Sequence, residues 1–159
     1  QLLLNGLTTV SADAARALAG FEGSMLHLGG LTTLSEDAAA ALARFKGKRL
    51  ALHGLTALPV GAARALADCE TWDGSLPGIT TFDAPDSVEV ATALAGRKGR
   101  VYLHNLKRVS PRTLTALIRK EDMILPPFDT LELIGEPDGG PSDDFVIPDR
   151  FLERQKRRR

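Results

Sequence analysis

One eight-residue phrase returns at a fixed spacing, and that spacing limits what this chain can fold into. Leu4-Asn5-Gly6-Leu7-Thr8-Thr9-Val10-Ser11 becomes Leu28-Gly29-Gly30-Leu31-Thr32-Thr33-Leu34-Ser35, then Leu52-His53-Gly54-Leu55-Thr56-Ala57-Leu58-Pro59. Weaker copies start at Leu76 and Leu103, and the strand part alone recurs at Leu133. From Leu4 through Leu28 and Leu52 to Leu76 the period is 24 residues. A fixed period of this length means a stack of small units, none of which buries its apolar face alone.

Each unit opens with two leucines two apart: Leu2/Leu4, Leu26/Leu28, Leu50/Leu52. That spacing puts both on one face of a short strand. Gly6, Gly30, Gly54 and Gly78 follow where the chain turns out of the strand, and glycine tolerates both positive φ and close backbone approach. Asn105 and Gly135 fill that slot in the fifth and sixth units. A helix follows in each full unit. Ser11 and Ser35 sit where an N-cap belongs, with Asp13 and Asp37 in the first turn, and Ser110-Pro111 pairs a cap with proline at the first helical position. Leu18, Leu42, Leu66, Leu94 and Leu117 hold one equivalent helical position, and alanines around them let helix and strand lie close. Gly23, Gly47, Gly74 and Gly99 then release the chain toward the next strand.

The phrase Leu-x-Leu-x-Gly-Leu-x-x-Leu-Ser, carried at Leu26 to Ser35 and nearly so at Leu2 to Ser11, resembles the leucine-rich-repeat family in a short-period, alanine-rich, bacterial-type form. The resemblance covers roughly residues 1–135. It departs from the commoner repeat, which has an asparagine after a longer Leu-x-x-Leu-x-Leu start; only Asn105 stands in for it here. It implies an α/β fold: a right-handed solenoid of about five to six strand-helix repeats with a parallel, concave sheet. It also implies a role in protein recognition on that sheet.

The period lengthens twice, around Phe82 to Ser87 and over Arg119 to Asp129. After the solenoid of residues 1–135, residues 136–152 read as an acidic loop and a C-terminal cap built on Phe145, Val146, Ile147, Phe151 and Leu152. The basic tail, 153–159, reads as a solvated, disordered end, because no aromatic side chain is interleaved for base stacking. At the other end Leu2-Leu3-Leu4 opens as a strand with no polar cap before it, so an upstream segment or a partner is expected to cover it.

Formal net charge is zero, which removes any bulk attraction to nucleic acid or a membrane surface. No apolar run is long enough to span a bilayer. Cys69 is alone, so no internal disulfide can form. His27, His53 and His104 lack metal-ligand spacing, and no cofactor motif is present. Ser75, His53 and Asp73 are the best nucleophilic set that can be assembled, with no nucleophile elbow beside them, so an enzyme is not expected. Trp72 is expected to pack against a neighbouring helix end.

The register leaves Met25, His27 and Gly29, then Arg49, Ala51 and His53, then Asp73, Ser75 and Pro77, then Arg100, Tyr102 and His104, and last Thr130, Glu132 and Ile134, facing outward. Arg and Tyr are typical interface residues. The expected function is a non-enzymatic interaction scaffold contacting a protein or peptide through Arg49, His53, Arg100, Tyr102 and His104. The alternative is a structural spacer or assembly subunit that docks through its open N-terminal end.

Overall fold

The computed structural model describes residues 1–139 and 147–158. It is a mixed α/β structure with six α-helices and small parallel sheets. The first sheet holds β1 (Leu2–Leu3), β2 (Met25–His27) and β3 (Arg49–Ala51) in that order. Leu2 pairs with Leu26 and Leu26 with Leu50, so each step is 24 residues. Leu26, Leu28, Leu50 and Leu52 are fully buried, as the two-residue spacing requires.

Helices α1 (Ala12–Ala19), α2 (Glu36–Leu42) and α3 (Val60–Ala67) follow these strands, and consecutive helices pack side by side. Ser11 Oγ accepts from Ala14 N and Ser35 Oγ from Ala38 N, each at 3.2 Å. Pro59 takes the same place before α3 with no side-chain cap bond, since it has no hydroxyl to offer.

The next turn departs from the expected strand over Asp73–Pro77. Only isolated bridges form there, Leu50 with Trp72 and Ser75 with Tyr102. Gly74 lies between them at φ +77°, a conformation that side-chain-bearing residues avoid. It therefore kinks the chain rather than only releasing it. The row resumes with β5 (Val101–Tyr102), paired to β7 (Met123–Ile124).

A second row was not foreseen. β4 (Thr81–Phe82), β6 (Arg108–Val109) and β8 (Glu132–Leu133) form their own parallel sheet just after the turns. In the earlier units the same row survives as single bonds, Thr32 N to Thr8 O at 3.1 Å and Thr56 N to Thr32 O at 3.0 Å. Two expectations are thereby corrected. Leu133 pairs with Val109 in this second row, so the sixth strand of the main row is Met123–Ile124, inside the stretch read as excess length. Thr130 ends a short 3-10 turn and does not belong to a strand. The leucine count misled because Met123 and Ile124 replace leucine in the true strand.

The glycine ladder has one physical cause. A Cβ at Gly30 would collide with the carbonyl oxygens of Asn5 and Leu7, one at Gly54 with those of Gly29 and Leu31, and one at Gly78 with that of Leu55. None of these glycines has positive φ, so close approach of the preceding turn, and not conformational freedom, excludes a side chain. Asn105, next in the ladder, donates from Nδ2 to Pro77 O at 2.9 Å.

Helices α4 (Ser87–Ala95), α5 (Pro111–Ile118) and α6 (Asp149–Arg158) complete the chain. Ser110 Oγ caps α5 through Thr113 N, with Pro111 in the first turn. The basic tail is helical, in contrast to the disordered end expected. Phe151 is buried, its ring 6.4 Å from that of Phe128, and Lys156 pairs with Glu153 one turn away. Part of the polar loop after Glu136, together with Phe145, Val146 and Arg159, lies outside the described residues.

Candidate functional site

The outer face of the main strand row gathers charge at the kink. The Asp73 carboxylate is nearly buried and takes several donors. Arg49 reaches its Oδ2 from Nε at 3.3 Å and from Nη2 at 3.1 Å, and His53 Nε2 lies 2.9 Å from the same oxygen. Ser75 N donates to Oδ1 at 3.0 Å. The His27 ring stands edge-on to His53, centroids 6.4 Å apart. Ala51, expected to face outward, is buried, because Arg49 and His53 on either side of it both lean across to Asp73.

Thus Arg49 and His53 are brought together, and Asp73 is what joins them. Arg100 precedes β5 opposite Asp122 by register, and its charge is one of the causes that lower the Asp122 carboxyl. Tyr102 is half-buried and strand-paired, with its N donating to Gly74 O at 2.8 Å. His104 is exposed and stands apart, lining a shallow groove of about 370 Å³ with Lys107, Pro126 and Glu132.

Behind this face runs a column that sequence reasoning missed. Three residues after each helix leucine come Phe21, Phe45, Cys69, Arg97 and Lys120. In every unit that residue's N donates to the leucine's carbonyl, at 3.0–3.2 Å. The column is apolar in three units and cationic in the last two. Arg97 donates to the carbonyls of Trp72 and Arg100, and its guanidinium lies 4.9 Å from the Trp72 ring centroid. This substitutes side-chain donors for the strand bonds lost at the kink. Burial pushes the Arg97 guanidinium below its ordinary value, with Cys69 and Asp73 acting in the opposite sense. Trp72 is buried, and the group over its ring is Arg97, just past the C-cap Gly96 of α4. Alignment on the helix leucine would have exposed the column; the pairing of Arg97 with Trp72 carries no local signal.

Lys120 Nζ donates to Arg97 O at 2.5 Å and pairs with Asp122 at 2.7 Å. That hydrogen bond is the main reason the Asp122 carboxyl sits below its ordinary value of 3.8. A depressed carboxyl contributes stability above its unfolded pKa and loses it as pH falls through the folded one. Asp122→Asn is therefore expected to be less stable than wild type at pH 7, and the gap should be smaller at pH 3. Denaturant midpoints followed by Trp72 fluorescence at both pH values test this; an unchanged gap would refute it.

The Ser75, His53 and Asp73 set has its acid and base in contact, but the Ser75 bond that is formed comes from its backbone N. Among the described residues no group of His, Cys, Asp and Glu could hold a metal ion, and no helix is long and apolar enough to cross a membrane. Compared with protein-family models, with curated proteins and with solved structures, the chain matches none.

Proposed function

We propose that the chain is a non-enzymatic interaction scaffold, a solenoid of leucine-rich-repeat type whose outer strand face receives a protein or peptide. The observation that supports this most is the two-residue alternation of the strands, kept in line across the first three by the 24-residue pairing step, which sets Arg49 and His53 on one surface while Leu50 and Leu52 between them fill the core. Arg100, Tyr102 and His104 extend the same surface across the kink. A rigid row of strands presenting Arg, His and Tyr is suited to recognition, because little ordering entropy remains to be lost on binding.

A specific observation favours a second reading, docking through the first unit. Leu31, Leu55 and Ile79 are at most 2% exposed, whereas their counterpart Leu7 is 39% exposed, and Leu3 is 54% exposed. Gly6 holds the ladder position yet meets nothing within 4 Å. Its neighbours in the ladder are glycine because another turn presses on them. A partner surface that presses on the first unit would make the same use of Gly6.

One experiment separates the two. Affinity capture with wild type, an Arg49→Ala/Arg100→Ala/Tyr102→Ala variant and a Leu3→Asp/Leu7→Asp variant is expected to lose its specific partner with the first variant only. Loss with the second variant only would transfer the function to the end of the stack. Retention by both would refute both readings.

A further inference from the structure

We infer that the outer strand face recognises an acidic peptide segment, through carboxylate side chains that pair with Arg49 and Arg100. This rests on the interaction reading above and names the chemistry of the partner.

The argument is one of donors and acceptors. Successive turns of the row carry Arg49, Asp73, Arg100 and Asp122 near this face, with Arg49 reaching sideways to Asp73 and Arg100 opposite Asp122 by register. The two carboxylates are already engaged. Asp73 has a side chain only 10% exposed and is occupied by Arg49, His53 and Ser75 N. Asp122 is occupied by Lys120 at 2.7 Å. The cations are not used up. Arg49 directs two nitrogens at Asp73 while its side chain stays 49% exposed, and a guanidinium carries five N–H donors in all. Arg100 is exposed. The face therefore offers a partner cationic N–H donors and few acceptors, and its complement is an anion-rich chain.

Asp73 acts as a positioning residue. It fixes the inner edge of the Arg49 guanidinium, so the outer edge is held for a bidentate carboxylate contact without further loss of side-chain freedom. The left-handed Gly74 next to it interrupts the strand where Asp73 takes up Arg49 and His53. The two arginines stand two strands apart in the row, at least about 10 Å at the backbone. A peptide is favoured over nucleic acid because two cations and one half-buried tyrosine give few phosphate contacts and little stacking surface.

Selection of a random twelve-residue peptide library on the wild-type chain, counter-selected on Arg49→Gln/Arg100→Gln, tests this. The expected result is a pool enriched in Asp and Glu that binds the double variant at least tenfold more weakly. Asp73→Asn should weaken the same peptides several-fold while Arg49→Gln leaves the melting temperature near wild type. Peptides lost by the double variant but without acidic enrichment would overturn this inference and leave the interaction reading standing. Peptides that bind both chains alike would overturn both. Displacement of the selected peptides by duplex DNA at equal charge concentration would overturn the choice of a peptide.

Discussion

Gly54→Ala is expected to unfold the chain where wild type is folded, and Gly6→Ala is expected to leave it as stable or slightly more so. The two residues hold the same slot one and three turns into the repeat. At Gly54 the new methyl would lie under 3.0 Å from the carbonyl oxygens of Gly29 and Leu31, and neither backbone group can rotate away. Relief requires prising two units apart, which breaks the Leu28 N to Ala51 O and Thr56 N to Thr32 O bonds that tie them, at 2.9 and 3.0 Å. A cost above roughly 3 kcal/mol follows, in the range of severe substitutions. At Gly6 no atom lies within 4 Å and φ is not positive. Alanine there restricts the unfolded chain and should add about 0.4–1 kcal/mol. Equal melting temperatures for the two variants would refute the close-approach account of the ladder.

Trp72→Ala is expected to cost about 4 kcal/mol, at the upper end for a buried aromatic. Three losses coincide. The largest fully buried side chain leaves a cavity. The Arg97 guanidinium loses the ring face 4.9 Å away and stays buried at 8% exposure. The seam at Gly74 then loses its ring packing and is held by hydrogen bonds alone, those from Arg97 among them. Trp72→Phe keeps a ring and deletes an indole N–H that has no partner among the described residues, so its cost should stay below about 1.5 kcal/mol. Urea midpoints by circular dichroism check both values. A Trp72→Phe cost close to that of Trp72→Ala would mean that indole-specific packing, and not a ring under Arg97, holds the seam.

Much of the candidate face was legible because it obeys local rules. A period of two places Arg49 and His53 together, and the 24-residue step places them beside the preceding strand. Asp73 was legible as an outward residue but not as the group that binds both, since that depends on a kink of which Gly74 was the only trace. Met123–Ile124 was overlooked for a related reason: a strand of two residues buried by its neighbours needs no leucine.

The sequence by itself determined the period, the leucine face of the first strands, the serine caps of three helices and the slot where glycine recurs. These depend on contacts between a residue and its equivalent one unit away, so a repeating string encodes them directly. Only the tertiary structure decided where the stack is interrupted, which carboxylate gathers Arg49 and His53, and why Arg97 and Lys120 can stand where phenylalanine stood. Those outcomes depend on which carbonyls the kink leaves without strand partners, and that is settled by how units three to five pack together.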